Sequence, residues 1–175
     1  YKAANKVLLN EVLLNIIIGL VFSVVTLSFL DPILMFFGAS QNTLPFARDY
    51  MVIILLGNVI THLYFGLNNM VRASGNPKLA MELTVSTVVS NTIMDPIFIF
   101  VLDMGIKGAA IATVLCQLMA LIYTARYFFN QNNYLHLPKS LRDYKLDIRI
   151  AKDSLTIGMG PFLMNFAACI VTLFI

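Results

Sequence analysis

Apolar residues recur along this chain in runs longer than an ordinary soluble helix needs. Residues 12–37, 50–71, 77–102 and 106–129 are each dominated by them, and 154–175 forms a fifth run. A spanning helix takes about 20 predominantly apolar residues, so each run is long enough to cross a bilayer. A soluble all-α core would need amphipathic outer helices with charged faces, and none is visible. The expected fold is all-α: a polytopic transmembrane helix bundle.

The polar residues inside these runs are not scattered. At about 100° per residue, Thr84, Thr87, Asn91 and Asp95 fall on one narrow face of the third run. Thr113, Gln117 and Thr124 share a face of the fourth, and Asn58, His62 and Asn69 share one of the second. Lipid satisfies no polar group, so these stripes are expected to face one another or a cavity. Asp95 stands out. A carboxylate in a span costs about 2.5–3.5 kcal/mol on insertion scales, and such groups by default mark an ion or substrate pathway. Pro96 follows it, has no N–H, and leaves the Thr92 carbonyl without its helical partner. Carboxylate, amide, hydroxyl and free carbonyl are hard oxygen ligands, suited to a proton or a small alkali cation rather than a transition metal.

Loop charge orients the chain. Of the twelve Lys and Arg, only Arg48 and Lys107 fall on one side of the alternating spans, and the other ten fall on the opposite side. The positive-inside rule puts the ten in the cytoplasm. The net charge of +3 follows from this bias and calls for no nucleic-acid partner. With a rise of about 1.5 Å per residue, Asp95, Thr113 and Asn58 each lie roughly 9–12 Å inside the outer boundary. They are expected to form one layer, with Asn91, His62 and Gln117 one turn deeper.

Punctuation divides the chain further. Ser74-Gly-Asn-Pro77 separates the second and third runs, and Asp103-Met-Gly105 the third and fourth. Residues 131–153 form the only long polar stretch and read as a linker between two lobes. Residues 1–130 would be the first lobe, and 154–175 the first helix of the second. Part of the linker, 141–150, mixes apolar and charged residues and reads either as a solvated linker or as an interfacial segment. A start at Tyr1 and a stop inside an apolar run suit a piece of a longer protein. Charged residues make up 12% of the chain, about half the share usual in soluble domains. Cys116 and Cys169 lack metal or redox spacing and read as small, buried, inert thiols.

Plainer readings exist for each residue. Asp95-Pro96 can cap a broken helix. Asn58, Gln117 and Thr113 can simply bond helix to helix, and His62 is better suited to a structural role than to a proton relay. Glu82 is read as an i,i+4 partner of Lys78, Asp31-Pro32 as an interfacial turn, and Gly108, Ala109 and Ala112 as a close-packing surface.

Asn91-x-x-x-Asp95-Pro-Ile-Phe-Ile-Phe followed by Gly105-Ile-Lys-Gly-Ala-Ala-Ile-Ala-Thr113 resembles the multidrug and toxic compound extrusion (MATE) transporters. Met70-Val-Arg-Ala-Ser-Gly-Asn-Pro77 is similar to that family's connection between its fourth and fifth helices, and Ile157-Gly-Met-Gly-Pro161 to the start of its seventh. The resemblance implies part of a twelve-helix, two-lobe protein that completes its site with helices not in this chain. It implies no enzyme and no cofactor. The expected activity is export of lipophilic cations in exchange for Na+ or H+ by alternating access, in the plasma membrane, with a monomer as the expected assembly. It assigns cation coupling to Asp95, Asn91 and Thr113, leaving Asn58, His62 and Gln117 as pathway-lining candidates. A lipid-linked oligosaccharide flippase would more naturally carry interior Lys or Arg, and the interior of the spans holds none, Lys78, Lys107 and Arg126 lying at their ends. An intramembrane enzyme would need a second acid or a Ser/His pair at matching depth, and none is evident.

Overall fold

A computed structural model describes residues 2–129 and 147–174. The described residues form seven α-helices: α1 (Lys2–Ser28), α2 (Leu30–Phe36), α3 (Leu44–Leu56), α4 (Asn58–Ala73), α5 (Pro77–Pro96), α6 (Gly105–Phe129) and α7 (Ile148–Phe174). One π-helical turn, Ile97–Val101, follows α5. Within them Ala4–Ser28, Pro77–Val101, Gly105–Phe129 and Ile148–Thr172 are each long and apolar enough to cross a membrane, and α3 and α4, bent by 52° at Gly57, are long and apolar enough only when taken together. The chain is thus a multi-pass membrane bundle. Helix α6 packs against α3, α4 and α5, while α4 packs against α1 and α5; α7 touches α1.

Local chemistry sets where these helices start and break. The first begins ten residues before the apolar run, because polar Asn10 is buried and used. Its amide donates to the Lys6 carbonyl at 2.8 Å, and its oxygen accepts the Asp147 N–H at 2.8 Å. Asp147 in turn caps α7, accepting from the Arg149 N–H at 3.1 Å. Residues 147–153, expected as the end of the linker, therefore open α7; residues 130–146 lie outside the described part.

The first span also ends early, at Ser28, since Pro32 cannot donate a backbone bond to the preceding turn. Asp31-Pro32 is not a plain turn but the first turn of α2, where Asp31 meets Arg48 at 3.5 Å. Lys107 pairs with Asp49 at 3.1 Å, so both basic residues of the less basic side have acidic partners.

Glycine decides two close approaches. At the bend between α3 and α4, a Cβ on Gly57 would lie 2.5 Å from Val114 of α6. The helical bonds continue through the bend, Gly57 N–H to Ile53 at 3.0 Å and Thr61 N–H to Gly57 at 3.1 Å. At the start of α6, a Cβ on Gly108 would sit 2.6 Å from the Phe98 carbonyl oxygen. That neighbour is backbone and cannot swing away. One end of the bundle is sealed by Leu8, Leu9, Leu67, Val71, Ala80 and Phe128. There Asn76 donates to the Tyr127 hydroxyl at 2.6 Å and ties the α4–α5 turn to α6.

Gly108→Ala is expected to destabilise the full-length protein that carries this chain by about 1–3 kcal/mol through overpacking. A thermal-unfolding midpoint unchanged from the parent would contradict the close approach of α6 to the π-helical turn.

Candidate functional site

Helix α5 carries the polar stripe, and each member meets a neighbour. Asn91 holds the centre. Its amide lies 3.1 Å from the Asp95 carboxylate and 3.3 Å from the Thr113 hydroxyl on α6. Thr113 donates back to the Ala109 carbonyl at 3.0 Å, which leaves its oxygen free to accept from Asn91. The three residues sit half-buried where α5 runs into its π-helical turn. Pro96 lies inside α5, and the turn after it closes with the Leu102 N–H on the Ile97 carbonyl at 2.9 Å. Such wide turns often accompany functional sites in helices. Asp95 caps no helix: it lies within α5, and no side-chain cap precedes the π-helical turn.

Below this cluster the stripe continues. The Thr87 hydroxyl is 3.3 Å from the Tyr64 hydroxyl, and Thr84 accepts from the Asn68 amide at 3.0 Å. Gln117, one turn from Thr113 on α6, accepts a short hydrogen bond from Thr61. A cavity of about 190 Å³ lies among these helices, lined by Tyr64, Thr84, Thr87, Asn91, Thr113 and Gln117, among others.

Asn58 and His62 go elsewhere. The Asn58 amide donates to the Gly19 carbonyl at 3.1 Å and to the Ser23 hydroxyl at 3.2 Å, and Ser23 donates to the Leu55 carbonyl at 2.8 Å at the bend. His62 lies against the same stretch of α1, its Cδ2 being 3.4 Å from where a Gly19 Cβ would be. Asn58 thus finds its partners on α1 and makes no hydrogen bond to Asp95 or Thr113. The residues of α4 that meet α5 and α6 are Thr61, Tyr64 and Asn68, which the sequence reading passed over. Their own i, i+3, i+7 spacing was the available signal.

Other expectations also change. Glu82 makes no ion pair with Lys78; among the described residues the ion pairs are the two involving Asp31 and Asp49. An exposed i,i+4 pair gains only a few tenths of a kcal/mol, too little to hold two mobile side chains together. Glu82 instead lines a groove of about 370 Å³ between α5 and α6, with Ser86, Ser90 and Tyr123 among its walls. Cys116 is buried and free, its thiol 3.5 Å from the Met94 sulfur, whereas Cys169 is free and exposed on α7.

Comparison with known proteins agrees with this helix pattern. The model of the MatE family matches residues 1–97. This chain belongs to the multidrug and toxic compound extrusion (MATE) family. It is 33% identical over 150 residues to the multidrug export protein MepA of Staphylococcus haemolyticus, covering 86% of this chain and 33% of that protein. It is 30% identical over 165 residues to MepA of Staphylococcus aureus, covering 92% of this chain and 36% of the relative. Among solved structures, an outward-facing multidrug resistance MATE family transporter of the MOP superfamily superposes with a TM-score of 0.88. It is 27% identical, and the match covers 97% of this chain and 38% of that one. An inward-facing structure described in the same terms matches with a TM-score of 0.81 and 28% identity, over 89% of this chain and 35% of the other. The chain thus spans about a third of the length of these relatives.

The Thr61–Gln117 bond makes one contact measurable in isolation. A double-mutant cycle of Thr61→Val and Gln117→Leu in the full-length protein is expected to give a coupling energy of about 0.6 kcal/mol, and at most about 1.7, the range found for hydrogen bonds between membrane helices. Additive effects on unfolding would show that α4 and α6 do not communicate through this pair.

Proposed function

We propose that this chain forms part of a secondary active antiporter that exports lipophilic, cationic compounds in exchange for Na+ or H+. The observation that carries this reading is the cluster of Asp95, Asn91 and Thr113, one carboxylate, one amide and one hydroxyl drawn together across α5 and α6. Within the hydrocarbon region an ionised carboxylate needs compensation. An entering cation supplies it as a bound ion or as a proton on Asp95. Asn91 and Thr113 offer oxygen atoms to a small cation, and the Asn91 amide N–H stabilises the empty, charged form of Asp95.

Alternating access follows from the electrostatics. A neutralised Asp95 no longer needs its donors, so the helix pair relaxes differently from the charged state. A ligand moves such an equilibrium only by its differential affinity for the two arrangements. Ion occupancy thereby changes the affinity for drug, and drug changes the affinity for ion by the same factor. In this reading the protein is a transporter and not an enzyme, needs no cofactor beyond its coupling ion, and completes its site with further helices of the same protein. It is taken to work as a monomer in the plasma membrane, with 131–153 in the cytoplasm. The relatives' names support the substrate class: two of them are multidrug export proteins. The unequal distribution of Lys and Arg supports the orientation.

Asn58 and His62 hold α1 against α4 here, and Gln117 ties α4 to α6; none of the three is needed as an ion ligand. In the full-length protein, Asp95→Asn should abolish ion-coupled dye efflux in proteoliposomes without loss of expression. Asn91→Ala and Thr113→Ala should leave intermediate ion dependence, since each removes one oxygen and keeps the charge. Glu82→Gln should pump at the parental rate. Normal pumping by Asp95→Asn at both limiting and saturating gradients would refute the assignment.

A further inference from the structure

We propose that the seam between α4, α5 and α6 holds a hydrated polar track through which the coupling cation travels between Asp95 and the cytoplasmic end of the bundle. This rests on the reading of Asp95 as the coupling site. Two independent observations carry it: a cavity directly below the cluster whose wall includes the hydroxyls and amide of the α5 stripe, and a buried carbonyl oxygen beyond that cavity with no hydrogen-bond partner among the described residues.

The track begins at Asn91, which touches both Asp95 and Thr113 and also lines the cavity of about 190 Å³. A space of that size has room for several waters, and although most of its wall is apolar, Thr84, Thr87, Asn91, Thr113 and Gln117 supply hydroxyl and amide partners to hold them. The cavity reaches Thr87 and Thr84, which form the next two rungs with Tyr64 and Asn68. Along α5 the rungs at Asp95, Asn91, Thr87 and Thr84 are separated by roughly 6, 6 and 4.5 Å of helix rise. One water bridges a gap of that size between two oxygens.

Asn68 ends the series. It is 2% exposed, its amide N–H is spent on Thr84, and its Oδ1 has no partner among the described residues. A buried acceptor in that condition is costly unless a donor or a cation reaches it. Helix-to-helix bonding alone does not explain it, since an Asn used only to grip Thr84 would gain nothing from an orphaned oxygen. One turn further on, Val71, Ala80, Leu8 and Phe128 are all 0% exposed and close the seam. In this proposal the track holds water from Asp95 down to Thr84, passes to the buried Asn68 oxygen beyond the cavity, and is sealed there by an apolar plug, as suits an arrangement closed to the cytoplasm. Hydroxyl and amide oxygens along it serve either a proton passed along water or a Na+ that exchanges water for protein oxygen.

The test uses the full-length transporter in proteoliposomes, with release of ²²Na+ and of H+ from the protein measured separately. Thr87→Val combined with Asn68→Leu should slow release of whichever ion is coupled roughly tenfold, or about 1.4 kcal/mol on the barrier, with equilibrium ion affinity unchanged. An unchanged rate in a variant with parental affinity would overturn the track. Wetness is tested separately in a Cys116→Ser, Cys169→Ser background. There Thr87→Cys should react with a small cationic methanethiosulfonate at least tenfold faster than Val85→Cys, placed on the exposed face of α5. Equal or slower reaction would overturn the proposal even if the release variants fail to fold. If Asp95→Asn retains coupling, the parent reading falls on that result alone, whereas lost coupling in Asp95→Asn with a dry Thr87→Cys condemns only the track.

Discussion

In a hydrocarbon environment a polar side chain must find its partner within the protein, and where its own helix cannot supply one, the partner on another helix organises this bundle. Water cannot satisfy the amide of Asn91 or the hydroxyl of Thr84 from the lipid side. Each polar stripe therefore selects the neighbour it packs against. The stripe on α5 meets Thr113 on α6 at one level and Tyr64 and Asn68 on α4 at others. Asn58 and Ser23 fix α1 against the bend between α3 and α4 in the same way. Apolar packing fills the space between these contacts, but it cannot by itself choose a rotation for a helix that is apolar almost all round.

The irregular points of the backbone fall beside these contacts. Pro96 removes one helical donor directly after Asp95, and the chain opens into a π-helical turn whose Phe98 carbonyl lies against Gly108. The bend at Gly57 brings α4 onto Val114 of α6 while Ser23 takes up the Leu55 carbonyl. Both places combine a polar side chain with a backbone that departs from regular helix. That combination suits an element with two arrangements, because bonds at a break can be exchanged without unwinding a whole span.

Much of this was legible in the residue order, and the rest was hidden for identifiable reasons. The α5 stripe was legible because Thr84, Thr87, Asn91 and Asp95 fall on one narrow face, whereas the second polar line of the same helix, Glu82, Ser86 and Ser90, which lines the groove against α6, went unread. On α4 two phases compete: Asn58 and His62 form one polar line, and Thr61, Tyr64 and Asn68 form another. Nothing in the periodicity says that the first turns to α1. The break at Gly57 was invisible to hydropathy, since it leaves both flanking helices apolar and hydrogen-bonded. The true start of α7 was obscured because Arg149, Lys152 and Asp153 interrupt the apolar residues of its first two turns, although Asp147 directly before Ile148 is a recognisable cap residue. The burial of Asn10 was hidden because it depends on a partner 137 positions away, which no local pattern reveals.

The central claim is that Asp95 is the group whose charge changes when the coupling ion binds. Infrared difference spectroscopy of the purified full-length protein measures this directly. The account predicts that ion binding or release changes a carboxyl or carboxylate stretching band. That band should be missing in Asp95→Asn and shifted in Asn91→Ala, because the Asn91 amide N–H is hydrogen-bonded to the same carboxylate. An ion-induced difference spectrum that is the same in Asp95→Asn as in the parent would contradict the account, since the coupling charge would then reside on another residue.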